Sequence, residues 1–401
     1  MTQAHRYDDS LSGKRIAFFH QSASLYGSDR MLLSLADGIQ RHGVEPIVLL
    51  PHEGPLTQAL ASHRIEFHIA PIMRLDRERL RPRGLATLLR EAKNLNAVCS
   101  KAFDGRQIDI VHSNTLAVLG GAMWSYRHCV PHLWHVHEIV ERPSIAGHGF
   151  TRLLGWTADT IISNSNATRN WLLKHRPTLA NRITVIHNGI DLPIQPQPTD
   201  VAAIRSRLMT ADTELAVGLV GRINRSKGHE VMLQAMEQLN AIGLSNFTLI
   251  FVGDAPPGQD HLRKALLARI EDSPVRDRVK ILGFIADMNP LYSALDLICV
   301  PSTEAESFGL VAAEAMSNGC AVIASDIGGL PEFVGRLNRF ALFPPGDPNG
   351  LADALRRALT DQDFRTRLAA DGRYFVETEL SRDVMLDSFI DAYSKLLVGR
   401  K

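Results

Sequence analysis

Short apolar runs recur along this chain, and a segment of helical periodicity follows most of them. In the first half the runs are RIAFFH, EPIVLL, IEFHIA, DIVHSN, HLWHVH, TIISNS and RITVIH. Runs this short and apolar suit strands buried on both faces, and connections long enough for a helix let such strands lie parallel. The stretch DLPIQPQPTD, Asp191–Asp200, then carries three prolines and no periodicity. It reads as a linker. The alternation restarts with LAVGLVGR, TLIFVGD, VKILGF, DLICVP, AVIASD and FALFPP. The pattern predicts an α/β chain of two doubly wound parallel-sheet domains, residues 1–192 and 193–380. The last helical pattern, 381–401, is expected to pack back on the first domain. Ligands of such sheets bind beyond the carboxyl ends of the strands, so the expected site is a cleft where two sets of ends face each other.

At 401 residues the chain is too long for one ordinary core, and 45% apolar with 22% charged residues is the composition of a soluble globular protein. No apolar run approaches the roughly 18 residues that span a bilayer. The opening MTQAHRYDDSLSGKRIAFFHQ has early acidic residues and does not read as a secretory signal. Cys99, Cys129, Cys299 and Cys320 form no C-x-x-C pair and read as reduced core residues of a cytoplasmic protein. Residues 1–192 hold 22 Lys and Arg against 16 Asp and Glu, whereas the remainder holds 22 against 27. Much of the positive excess lies in 74–106. That segment reads either as a solvated helix face or as a surface for anionic lipid or an anionic acceptor.

Four stretches at strand carboxyl ends carry candidate chemistry. In PSTEAESFGLVAAEAMSNG, Glu306 and Glu314 have seven residues between them and no basic residue in the gap. Buried carboxylates cost several kcal/mol unless hydrogen-bonded, on the order of the penalties for unpaired polar groups. A helix beginning near Gly309 would leave the amides of Phe308, Gly309 and Leu310 without helical acceptors. Vicinal hydroxyls of a sugar or ribose could meet the two carboxylates, and anionic oxygens the amides. In GLVGRINRSKGHEVML, Arg222 and Lys227 leave one strand together, which suits a diphosphate, although two solvated loop charges would look the same. In FFHQSASLYGSDR, Gly27 precedes a helix capped near Ser28 and Asp29, an anion site or an ordinary strand-to-helix turn. In HLWHVHE, alternation puts His135 and His137 on one face and His132 on the other. His137 reads as a core histidine or as a hydrogen-bond donor at the strand end, and the spacing does not suit zinc.

Together these stretches resemble the retaining glycosyltransferases of the GT-B fold, most of all the large family 4. Glu306 to Glu314 matches the family's E-x7-E motif with its FGL core and following EAM. GRINRSKG matches G-R-x(4)-K-G, SDIGGLPE matches the segment after the next strand, and HNGID at 187–191 matches the close of the first domain. The resemblance implies two Rossmann-like domains facing across a cleft. It implies that Glu314 holds ribose hydroxyls, Glu306 donor-sugar hydroxyls, and Arg222 with Lys227 the diphosphate. His137 would face the transferred sugar, the Gly27 loop would approach the diphosphate, and the Gly309 and Leu310 amides would line the donor pocket. The base would lie near Phe284 and Ile285. Tyr26 departs from the paired glycines that many relatives carry before the helix.

The reading is therefore a retaining hexosyltransferase moving sugar from a nucleotide-sugar donor to a saccharide or lipid-linked acceptor. The expected setting is cell-surface polysaccharide assembly on the cytoplasmic face of a membrane, touched through 74–106. No cofactor, metal or nucleic acid is expected, because Asp361-Gln362-Asp363 sits in a polar helical pattern. A nucleotide-sugar epimerase of the same fold would lack this placement of glutamates. A dehydrogenase would need G-x-G-x-x-G, which does not occur. A non-catalytic bilobal sugar-binding protein would have no use for Arg222 and Lys227 over a diphosphate.

Overall fold

The computed structural model describes residues 11–75, 79, 82–141, 143–194, 196–208, 214–256 and 258–399. Part of the basic 74–106 segment, and the first ten residues, lie outside that set. The chain divides into two compact units, one running to Gly189 and resuming at Arg382, the other Ile190–Ser381.

The first unit is built on a seven-stranded sheet: β1 (Arg15–Phe19), β2 (Glu45–Leu50), β3 (Glu66–Ile69), β4 (Ile110–Ser113), β5 (His132–Val136), β6 (Thr160–Ser163) and β7 (Ile183–Val185). The spatial order is β3-β2-β1-β4-β5-β6-β7 and every pair is parallel. The second unit has β8 (Leu215–Val220), β9 (Phe247–Val252), β10 (Val279–Leu282), β11 (Leu297–Val300), β12 (Ala321–Ser325) and β13 (Leu342–Phe343). Its order is β10-β9-β8-β11-β12-β13, again wholly parallel. Each strand falls on one of the apolar runs. Both sheets reverse their order once, between β1 and β4 and between β8 and β11. At such a reversal the connections leave to opposite sides and open a crevice at the strand ends.

The two-sided burial that the runs predict is realised. β4, β5, β9, β11 and β12 are buried at every residue. Each large aliphatic or aromatic side chain so buried contributes roughly 1.5–3 kcal/mol before chain entropy is set against it. The helix Gly27–Arg41 turns Met31, Leu32, Leu35, Ala36 and Ile39 inward at helical spacing. Gly38 on that helix admits the carboxyl-terminal helix Arg382–Val398, since a Cβ there would stand 2.2 Å from Leu386 Cδ2. The same helix brings the Tyr393 hydroxyl to 2.7 Å from His112 Nδ1. It also sets Phe389 against the rings of His112 and His135.

Two local expectations are corrected. The linker ends sooner than its prolines suggest, because a helix begins at Pro198. Proline suits a first helical turn, where its missing N–H is not needed. Cys129 is exposed, in a left-handed conformation that ends the helix Gly120–His128, while Cys99, Cys299 and Cys320 are buried. Among the described residues no helix is long and apolar enough to cross a membrane.

Candidate active site

In the second unit the reversal between β8 and β11 is bridged by an ion pair. Lys227 Nζ donates to Glu306 Oε1 at 2.6 Å, with the two side chains 24% and 17% exposed. The loop after β8 is shaped for this contact. Asn224 accepts the Lys227 backbone N–H at 3.1 Å, which tightens Arg225–Lys227 into a single 3-10 turn. Gly228 follows at φ +72°, and a Cβ there would lie 1.9 Å from the carbonyl oxygen of Pro301, just past β11. Only glycine allows both the left-handed backbone and that approach. Thr303 completes the seam, donating its N–H to Ser226 O at 2.9 Å and its hydroxyl to Arg225 O at 3.1 Å.

The sequence leaves open whether protein groups or ligand hydroxyls meet Glu306. In the structure Lys227 and the Ser302 hydroxyl both donate to Glu306 Oε1. The partners escaped notice because Lys227 lies 79 positions away and Ser302 reads as an ordinary turn residue. Gly329 N–H donates to Glu306 O at 2.8 Å, so the GG of SDIGGLPE secures the loop from behind.

The helix predicted near Gly309 spans Leu310–Ser317, with Gly309 as its N-cap at φ +105°. Phe308 is buried against Phe333, at 5.4 Å between ring centroids, and this anchors the turn. Glu314 lies one helical turn in and accepts a hydrogen bond from the Tyr292 hydroxyl at 3.3 Å. Tyr292 is a residue that sequence reasoning missed. Arg222 is exposed on the β8 loop. Phe284 offers a 71% exposed side chain, its N–H held by Asp254 at 2.9 Å, while Ile285 packs partly into the core. His229, beside Lys227, is buried against Phe251, and burial lowers its pKa to about 4, so the imidazole adds no charge beside the lysine.

In the first unit the reversal between β1 and β4 is bridged by histidine and amide side chains. His20, just past β1, meets Asp29 at 2.6 Å through Nε2 and Asn114, just past β4, at 3.1 Å through Nδ1. Asn114 Oδ1 in turn lies 3.2 Å from His137 Nε2, at the end of β5. Gly27 is the first residue of its helix and Tyr26 its N-cap; of the expected cap pair, Asp29 takes part, accepting the Tyr26 N–H at 2.8 Å. His137 is buried, and burial first, then nearby His20, pushes its pKa down to about 3. The donor N–H expected to face a ligand is therefore engaged by Asn114. His135 and His137 share a face, with ring centroids 3.8 Å apart, and His132 turns to Ser113 and Thr157.

Glu138 was also missed, although it ends the HLWHVHE stretch. Loss of solvent pushes its carboxyl up to about 7, opposed by the N–H groups of Leu116 and His137 that it accepts at 3.2 Å. Among the described residues no group of three His, Cys, Asp or Glu is placed to hold a metal ion. Asp361, the first residue of D-x-D, caps a helix by accepting the Phe364 N–H at 2.9 Å.

Comparison with known proteins places these features. Residues 26–193 match the family described as Glycosyltransferase Family 4, and residues 214–361 match that described as Glycosyl transferases group 1. A D-inositol 3-phosphate glycosyltransferase of Nocardioides sp. is 30% identical over 341 residues, covering 79% of this chain and 73% of that protein. HepE of Anabaena, solved in complex with UDP-glucose, superposes with a TM-score of 0.80 at 26% identity, over 95% of this chain and 99% of the other. Sucrose-phosphate synthase of Thermosynechococcus elongatus shares the fold, with a TM-score of 0.76 at 22% identity over 96% of this chain and 100% of that one. The chain belongs to glycosyltransferase family 4 and is a glycosyltransferase of the GT-B fold.

Proposed function

We propose that this enzyme transfers a hexose, with retention at the anomeric carbon, from a nucleoside-diphosphate sugar to a saccharide or lipid-linked acceptor. The proposed setting is assembly of a cell-surface polysaccharide such as lipopolysaccharide, capsule or exopolysaccharide. The observation that carries the reading is the Lys227–Glu306 pair at the β8/β11 reversal, with Glu314 on the next helix. Glu314 would hold the ribose, Glu306 the sugar hydroxyls, and Lys227 with Arg222 the diphosphate. The exposed ring of Phe284 and the neighbouring Ile285 would take the base.

In this mechanism the bond from the anomeric carbon to the β-phosphate oxygen breaks, and negative charge grows on the departing diphosphate. Lys227, Arg222 and the amides of Gly309 and Leu310 stabilise that charge from fixed positions, which lowers the barrier without reorganisation. The acceptor oxygen bonds to the anomeric carbon on the face the diphosphate leaves, and its proton passes to a diphosphate oxygen. No protein nucleophile is invoked. UDP-glucose is the favoured donor, since HepE binds it.

The acceptor would lie on the first unit. A cavity of about 270 Å³ at the ends of β2 and β3 is lined by Arg74, Arg79 and Glu91, and suits a polar, anionic group. The helix Pro82–Phe103 exposes Leu85, Leu89, Arg90 and Lys93, which fits peripheral contact with an anionic inner membrane face. A second reading, a small phosphorylated cyclitol acceptor, is favoured by the name of the Nocardioides relative.

A donor screen reading released UDP, GDP or ADP, with Glu306→Ala and Lys227→Ala as controls, tests the transfer. NMR of the product reads the anomeric configuration. An inverted product removes the retaining mechanism. Thermal shifts with free sugars but none with nucleoside diphosphates would indicate a sugar-binding protein instead. Equal binding to neutral and anionic vesicles would remove the electrostatic membrane contact.

A further inference from the structure

We propose that Asp29, His20 and Asn114 are positioning residues whose hydrogen-bond chain locks His137 in the Nε2–H tautomer and presents its bare Nδ1 as an acceptor for a sugar hydroxyl. The inference deepens the proposed function and rests on the reading, implied by the family resemblance, that His137 faces the transferred sugar.

The direction of every link follows from donor and acceptor chemistry. A carboxylate only accepts, so at 2.6 Å from Asp29 Oδ1 the His20 Nε2 carries a hydrogen. Asn114 Nδ2 only donates, so His20 Nδ1, at 3.1 Å from it, is the accepting nitrogen. The orientation of the Asn114 amide is supported separately. Its Nδ2 also points to the Ser28 carbonyl oxygen at 3.4 Å, a group that only accepts. Asn114 Oδ1 is then the acceptor facing His137, and at 3.2 Å the His137 Nε2 must donate. Neutral imidazole carries one hydrogen, so Nδ1 is left bare. Among the described residues nothing hydrogen-bonds that atom.

The chain is pinned at its Asp29 end. Asp29 is 1% exposed and is held by the Tyr26 N–H, and Ser22 Oγ lies 3.4 Å from its Oδ2. His20 and Asn114 are 0% and 1% exposed, so water does not compete for either. Burial keeps His137 uncharged across neutral pH, which removes the imidazolium as an alternative donor. The loops after β1, β4 and β5 are thus coupled, and the start of the Gly27 helix sets the hydrogen-bonding sense of a ring two loops away.

The test uses full-length protein labelled with ¹⁵N-histidine. Long-range ¹H–¹⁵N spectra from pH 5 to 8 should show His137 as a neutral Nε2–H tautomer throughout. A neutral Nδ1–H form, or titration near the ordinary histidine value, overturns the proposal. This reading needs no turnover, so if no donor is consumed by the wild type, the transferase reading falls while the tautomer still decides the inference. Asn114→Leu should lose the single tautomer and lower kcat about 10-fold, the equivalent of one hydrogen bond, with donor KM within about 2-fold. Wild-type kcat in Asn114→Leu overturns the positioning role. Should that variant fail to fold, Asp29→Asn is read the same way: it removes the fixed acceptor for His20 and should leave His137 in mixed tautomers.

Discussion

The two sheets reverse their strand order in the same way, yet the two reversals are bridged by opposite chemistry. In the second unit a lysine and a glutamate meet, both partly exposed, on loops held together by Gly228 and Thr303. In the first an amide and two imidazoles meet, all buried. A charge held out of water costs several kcal/mol even when paired, whereas a neutral polar group needs only its hydrogen bonds. Where the chain closes over the strand ends, the bridging amide and imidazoles pair with one another, and the buried carboxylate behind them, Asp29, is met by His20 and the Tyr26 N–H.

The largest expected effect breaks the charged bridge. Lys227→Ala should lower kcat by about 10²–10³-fold, the range seen when a donor to developing negative charge is removed. Donor turnover with the folded variant checks this, and unchanged kcat would remove the ion pair from the chemistry.

Acid should separate the units next. Burial holds His112 and His135 well below the ordinary histidine range and His137 at about 3. Below about 6.5 the unfolded chain takes up these protons and the folded chain does not. Stability is therefore full above that pH and falls as pH drops toward about 3, by up to about 1.4 kcal/mol per pH unit for each histidine. Glu66, held at about 2 chiefly by its hydrogen bond from Arg106, adds a loss of the same sign below about 4.5. Glu138 acts oppositely, its share being present below about 4.5 and lost as pH rises through about 7. Three histidines outweigh it. The second unit has among its described residues one such histidine, His229. All four tryptophans lie in the first unit, so their fluorescence follows it alone, and hydrogen exchange of β8–β12 peptides follows the other. Equal losses between pH 7 and 5 would break the contrast.

Gly228→Ala tests whether loop geometry brings the charges together. The left-handed backbone alone costs about 1–3 kcal/mol, and the Pro301 carbonyl stands in the way of the methyl group. The melting midpoint should fall and turnover with it, and a wild-type midpoint would mean the loop shifts freely. Smallest is Tyr292→Phe, which removes the hydroxyl hydrogen bond to Glu314 and should weaken UDP binding by about 0.5–1.5 kcal/mol. Calorimetry showing wild-type affinity would remove Tyr292 from the donor site.

Much of the fold is legible in the sequence because strand burial is a local pattern. Each apolar run became a strand, the Gly309 turn and its helix fell where FGL predicts them, and the glutamates are where E-x7-E puts them. The misreadings were local conflicts settled by neighbours: proline opening a helix at Pro198, and exposure of Cys129. Contacts between loops were not legible. Lys227 and Glu306 are 79 positions apart, His20 and Asn114 are 94, and His112 and Tyr393 are 281. A polar residue closing an apolar run, such as His20 or Asn114, marks a strand end, but its partner depends on strand order. The sequence by itself determined which segments are strands and which residue types stand at their carboxyl ends, since both follow from periodicity over a few residues. Tertiary structure alone decided which of those ends are adjacent. Only that adjacency makes one pair of side chains an ion pair and fixes the proton on His137, because hydrogen bonds and ion pairs act over a few ångströms of space, whatever the separation along the chain.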